Sequence, residues 1–168
     1  DEKSERVIGF QPLTHWTGTR WQAGPQLPDP KVGWVFHDRN GGHPASSDDR
    51  SAIRRWTAPL SGTVEVRSRL KHSPKPGNGV RGRIVSSKAG VLAEAKVAHS
   101  ESVMDVLSTK VQTGDTIDFV ADWQGHITHD EHEWLITIRL VDLTGKSDDT
   151  TIQSWDAQRD FVGGGTDV

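Results

Sequence analysis

The chain has 168 residues, no cysteine, and 20 basic against 23 acidic side chains, for a formal net charge of -3. That length suffices to bury a core within one domain. Without cysteine there are no disulfides, thiol catalysis, zinc–cysteine sites or c-type haem attachment in this segment, and the balanced charge lacks the basic footprint of a nucleic-acid binder.

The first residues, about 1–31, contain "FQPLTHWTGTRWQAGPQLPDP", rich in Pro, Gly and Trp and weak in periodicity. They read as an irregular arm pinned by Trp16 and Trp21. A strand candidate follows at 33–37. The stretch "GGHPASSDDRSAIRRW" then combines a flexible Gly-Gly, a His-Pro turn and a polar run before a second candidate at 52–57. In "GTVEVRSRL" the period is two: Val64, Val66, Ser68 and Leu70 share one face, and Glu65, Arg67 and Arg69 the other. Further candidates lie at 80–86, 92–98 and 103–111. In "DTIDFVAD" Ile117, Phe119 and Ala121 oppose Thr116, Asp118 and Val120, and in "EWLITIRLV" Trp134, Ile136, Ile138 and Leu140 oppose Leu135, Thr137, Arg139 and Val141. A last candidate lies at 151–155, and the tail "GGGTDV", 163–168, reads as a linker.

Between these runs stand "APLSG", "HSPKPGNG", "SKAG", "QTGD" and "DWQGH", all with turn chemistry. Short alternating strands divided by such turns predict an all-β, antiparallel β-sandwich, jelly-roll-like, of about nine strands in one domain spanning 1–162. No apolar run approaches the ~18 residues of a membrane-spanning helix, so no membrane span is expected.

Seven Trp, four Phe and no Tyr is an uneven aromatic choice. Trp serves cores, and exposed Trp offers a flat face on which a sugar ring stacks. Trp123, with Gln124 and His126, follows a strand at a rim position. Trp16, Trp21 and Trp34 form a second candidate surface, while Trp56 and Trp134 fall among β-formers and read as core. Arg81 and Arg83 leave the core on one face, suited to acidic glycans or simply to a solvated sheet.

Two clusters offer metal chemistry. Asp38, Asn40, Asp48 and Asp49 supply hard oxygen ligands on a glycine-containing loop, as a structural calcium requires, although the spacing matches no EF-hand. The competing reading is a solvated loop whose aspartates cap turns, with His43 packed in its turn. In "WQGHITHDEHEW", His126, His129 and His132 recur every third residue around Asp130 and Glu131. That interval puts neighbouring histidines on opposite faces of a strand and fits neither a zinc finger nor an HExxH helix. There is no GxSxG, P-loop or GxGxxG, so no enzyme class is indicated.

The strings "LPDPKVGWV", "GGHP", "AIRRWTAPLSGTVEV", "GNGVRGRIVSS" and "VQTGDTIDFVAD", in that order, resemble a β-sandwich region of large planctomycete proteins that also carry cytochrome c-like domains. The resemblance runs from about Phe10 to Leu140. "RRWTAP" and "GDTIDFVAD" are also similar to accessory modules of polysaccharide-degrading enzymes. The resemblance implies a non-catalytic, carbohydrate-binding-module-like domain of an exported protein, periplasmic or at the cell surface, with polysaccharide and neighbouring domains of the same chain as partners. Where such regions read N-S-D-S-F-x-W, this chain has "HDEHEW". Asp130 and Trp134 align there, making Asp130 a further candidate calcium ligand, and both histidines and Glu131 depart. The alternative is a spacer or protein-interaction domain that positions redox neighbours and binds no sugar. A third reading is an enzyme or metal-dependent accessory built on the histidine cluster.

Overall fold

The computed structural model describes residues 5–47, 49–126, 128–143 and 153–163. These form β1 (His15–Trp16), β2 (Arg20–Gln22), β3 (Phe36–Asp38), β4 (Gly41–His43), β5 (Ala52–Thr57), β6 (Gly62–His72), β7 (Val80–Ser86), β8 (Gly90–Val97), β9 (Ser100–Val103), β10 (Val106–Val111), β11 (Thr116–Asp122), β12 (His132–Leu143) and β13 (Ser154–Asp156). The larger sheet runs β1-β2-β3-β4-β12-β6-β10, with β13 on β12 and β9 on β6, and the smaller runs β5-β11-β7-β8. Every named pairing is antiparallel. The all-β sandwich expected from alternation is thus the fold.

Among the described residues the strand number is thirteen, not nine. The extra strands are two to four residues long, too short to carry a period. β1 and β2 pair Trp16 with Trp21 inside the arm that reads as irregular. The 103–111 candidate is two strands, broken where Asp105 turns back to β6: its carboxylate accepts the Ser68 N–H at 3.0 Å and pairs with Arg67 at 2.8 Å.

Alternation fixes which faces meet. On β6, Val64, Val66, Ser68 and Leu70 are buried opposite Leu140, Ile138, Ile136 and Trp134 of β12. The smaller sheet supplies Ile84, Ile117, Phe119 and Ala121. Phe119 meets Trp134 edge-on, with centroids 5.6 Å apart. The sheets approach so closely that a Cβ on Gly82 would lie 2.4 Å from Leu70 Cδ2, which accounts for a glycine in the inward register of β7.

β11 departs from simple alternation, because Asp118 and Val120 on its outer face are buried as deeply as its inner face. The cause is a cover. Residues 5–13 cross this face, Phe10 stacking on the Arg55 guanidinium at 4.0 Å while Arg55 grips Asp118 through Nε and Nη2 at 2.7 and 2.8 Å. Arg6 donates to the carbonyls of Ser87 and Lys88, and Glu5 pairs with Arg83.

Candidate functional site

β5 is an edge strand, and its free edge opens the sandwich. A cavity of about 1010 Å³ wraps that edge, open to solvent. Its wall takes Ile53, Arg55, Val120 and Arg83 from the outer face of the smaller sheet. From the inner faces it takes Trp56, Phe119, Ile136 and Ile138. The arm and the C-terminal segment close it with Phe10, Trp21, Trp155 and Phe161. A ligand site of this kind has a volume of about 300–1,000 Å³, is mostly apolar, and carries a few fixed polar groups.

The aromatic residues come from separate parts of the chain. Trp56 on β5 and Trp155 on β13 meet edge-on at 5.1 Å, both packed partly on the core. Trp21 packs on Trp16 at 5.3 Å, and Trp16 on Phe161 at 5.9 Å. Trp21 Nε1 donates to the Val162 carbonyl at 2.8 Å, tying the N-terminal hairpin to the C-terminal segment.

Arg54 points inward from β5 and joins the two sheets. Its guanidinium donates to the carbonyls of Asp38 at 2.6 Å, Gly41 at 3.3 Å and Ala157 at 3.4 Å, and lies over the Phe161 ring. Burial lowers its pKa, a shift that the charge of Asp38 opposes. Beside it, burial and then the Arg54 charge lower His37 to about 4, so this imidazole is neutral at pH 7. Burial and the neighbouring His37 hold His132 at about 3.

Two further arginines of the wall are paired. Arg55 holds Asp118, and Arg83 holds Asp122 through Nε at 2.8 Å as well as Glu5. Asp122 also accepts the Ser51 hydroxyl. Two buried polar atoms of the wall have no hydrogen-bond partner: Trp56 Nε1 and His37 Nε2.

The sequence-predicted residues distribute as follows. Trp21 and Arg83 line the cavity, and Trp16 supports it from behind. Trp34 is 41% exposed and lies 6.3 Å from the His43 ring, outside the wall. Arg81 is held by Glu94 through two bonds at 2.9 and 2.8 Å. Trp123, Gln124 and His126 occupy the β11–β12 loop, away from the cavity, where the Gln124 carbonyl accepts from Asn78. Trp56, which reads as core, also faces the cavity, and Trp155, Phe10 and Phe161 carried no period or motif to mark them. An overlooked signal was Arg54: a cation in the same register as Ala52 and Trp56 on a strand marks a face that is not plain core.

The oxygen donors expected for calcium are dispersed. Asp38 Oδ1 accepts the N–H groups of Asn40 and Gly41 at 2.8 Å, an Asx turn, and Asn40 Oδ1 accepts from Gln158. The neighbouring Ser47 hydroxyl, and to a lesser degree the Arg50 charge, lower the pKa of Asp49. Asp48 lies outside the described residues. Asp130 is fully buried on the β11–β12 loop, neither oxygen has a partner, and burial followed by the charge of Glu131 raises it to about 7. His43 is buried against Phe36, its Nδ1 2.7 Å from the Pro44 carbonyl oxygen. His132 is buried whereas His126 and His129 are exposed. Among the described residues no three His, Asp or Glu side chains gather as a metal site.

No protein-family model matches this chain, and no curated protein matches it. Among solved structures it is similar to a Podospora anserina GH26-CBM35 β-(1,4)-mannanase, at 13% identity and a TM-score of 0.35 over 88% of this chain. The chain spans 28% of that protein's length.

Proposed function

We propose that the chain is a non-catalytic polysaccharide-binding module of a larger exported protein, and that the cavity beside β5 is its binding site. The observation that carries this reading is the cavity itself: six aromatic residues, Phe10, Trp21, Trp56, Phe119, Trp155 and Phe161, share its wall with fixed polar side chains. Indole and phenyl faces stack on the C–H faces of sugar rings, and the polar groups orient hydroxyls. Single-site affinity of this type is modest and is multiplied by tethering to the rest of the chain. The periplasmic or cell-surface setting beside redox domains rests on the motif resemblance.

Two carboxylates of the wall, Asp156 and Asp160, favour binding over hydrolysis. Glycoside cleavage needs one acid held protonated. Here backbone and Thr137 hydrogen bonds lower Asp156, and Arg159 lowers Asp160. The spacer reading is favoured by one feature, the row Leu135–Arg69–Val103 across β12, β6 and β9, which leaves both apolar side chains exposed. Native affinity electrophoresis against neutral and acidic polysaccharides, with calcium and with chelator, separates the two. Retardation by one glycan class is expected, and none across the panel moves the assignment to the spacer.

A further inference from the structure

The arm supplies an unbroken run of the cavity wall, residues 5–13, and none of these residues is itself buried. Two pins hold it, both made by side chains. At one, Glu5 pairs with Arg83, and Arg6 donates to the carbonyls of Ser87 at 3.0 Å and Lys88 at 2.6 Å. At the other, Phe10 lies against the Arg55 guanidinium at 4.0 Å. Among the described residues, 7–13 form no backbone-to-backbone hydrogen bond and belong to no strand. A segment with so few bonds of its own lies at the low-stability end of a structure, from which ligand-binding loops are drawn.

Between the pins stand Val7, Ile8 and Gly9. Ile8 is 89% exposed, the most exposed large apolar side chain among the described residues, although it lines the cavity. Gly9 has a φ of +66°, which an L side chain rarely adopts, and open space where a Cβ would lie. The backbone there has the freedom to change, and the side chain before it has a reason to. A sugar ring in the cavity presents C–H surface to Ile8, and withdrawing that side chain from water is favourable. The chain between residues 6 and 10 extends to about 14 Å at most, so the movement is a local fold between fixed ends.

We propose that residues 7–9 are a strap that folds onto a glycan bound in the cavity, with Ile8 as the side chain it brings down. This rests on the cavity being a glycan site, and it makes the arm part of that site as well as a cover for the smaller sheet. Arg6 and Phe10 stay in place, and the residues between them close over the sugar.

The test begins with isothermal titration against hexaoses of β-1,4-mannan, β-1,4-xylan and β-1,4-glucan and against hexagalacturonate. For an oligomer that binds, Ile8→Ala is expected to weaken affinity roughly four- to fifteen-fold, the loss of one to two methylene equivalents of contact. Leu107→Ala, on an exposed site of β10, is the unaffected control. The second measurement needs no variant. Backbone ¹⁵N order parameters of residues 7–9 are expected to rise on binding, from below about 0.6 toward about 0.85, and the Ile8 methyl groups to show NOEs to ligand protons. Full affinity in Ile8→Ala with no NOE at Ile8 would overturn the strap and leave the glycan-binding reading standing. Order parameters near 0.85 in both states would also overturn it. No binding by any oligomer or by the polysaccharides would overturn both.

Discussion

Replacing Asp130 by Asn is expected to stabilise the protein, by an amount that depends on pH. The wild-type carboxyl is fully buried without a partner, and its pKa rises from 3.8 to about 7. A raised acid pKa means that between these values the unfolded chain has lost a proton that the folded chain keeps. The penalty is absent near pH 4, grows as pH rises, and is complete above pH 7. Three units at 1.36 kcal/mol each give about 4 kcal/mol, and local relaxation and water entry reduce this to about 2–4 kcal/mol. Asn has nearly the shape of the protonated acid, so Asp130→Asn should match wild type near pH 4 and exceed it by that margin at pH 8. Urea unfolding at unit pH steps in chelator measures this directly. A variant less stable than wild type at pH 8, or a difference that does not change with pH, would refute the argument.

His37 and His132 act in the opposite sense. Their folded pKa values of about 4 and about 3 lie below the ordinary 6.5, so stability is full above pH 6.5 and falls as pH drops toward 4, by up to about 2.7 kcal/mol per unit for two protons. In wild type the Asp130 proton offsets one of these, so Asp130→Asn should steepen the acid limb of the same urea series. Gly41→Ala should destabilise by about 1–3 kcal/mol or more in urea unfolding, because its Cβ would lie 1.7 Å from the His132 carbonyl oxygen, where backbone must shift. Arg55→Ala leaves Asp118 buried without its partner and Phe10 without its cation. It should cost about 2–3 kcal/mol and raise the rate of limited proteolysis within residues 5–13. Trp155→Ala should abolish glycan retardation in affinity electrophoresis while Trp123→Ala leaves it intact.

How much the sequence disclosed depended on how local each cause was. β6 and β12 were legible because each buries alternate side chains over seven or more residues, β11 because its apolar residues alternate in sequence, and the turns between them carry Gly, Pro and Asp. β1, β4 and β13 are two or three residues long and exist through their neighbours. Gly41–His43 is a buried strand because β12 and β3 flank it, and nothing within "GGHP" says so. The site was least legible. Trp56 obeys the inward register expected of core, and only its place on a free sheet edge turns it toward a cavity. Trp123 had the local look of a rim residue, yet the cavity forms where residues 5–13, β5 and residues 155–162 converge, a long-range event. The burial of Asp118 and Val120 was hidden for the same reason, since the arm that covers them has no period of its own.

The most direct measurement is a ¹H–¹⁵N titration of the tryptophan indole N–H resonances with a neutral hexaose that binds. The chain has seven such groups. The account predicts that Trp56, Trp155 and Trp21 shift with a common saturation curve while Trp34 and Trp123 stay in place. Movement of Trp123 alone, or of no indole at saturating ligand, would contradict it.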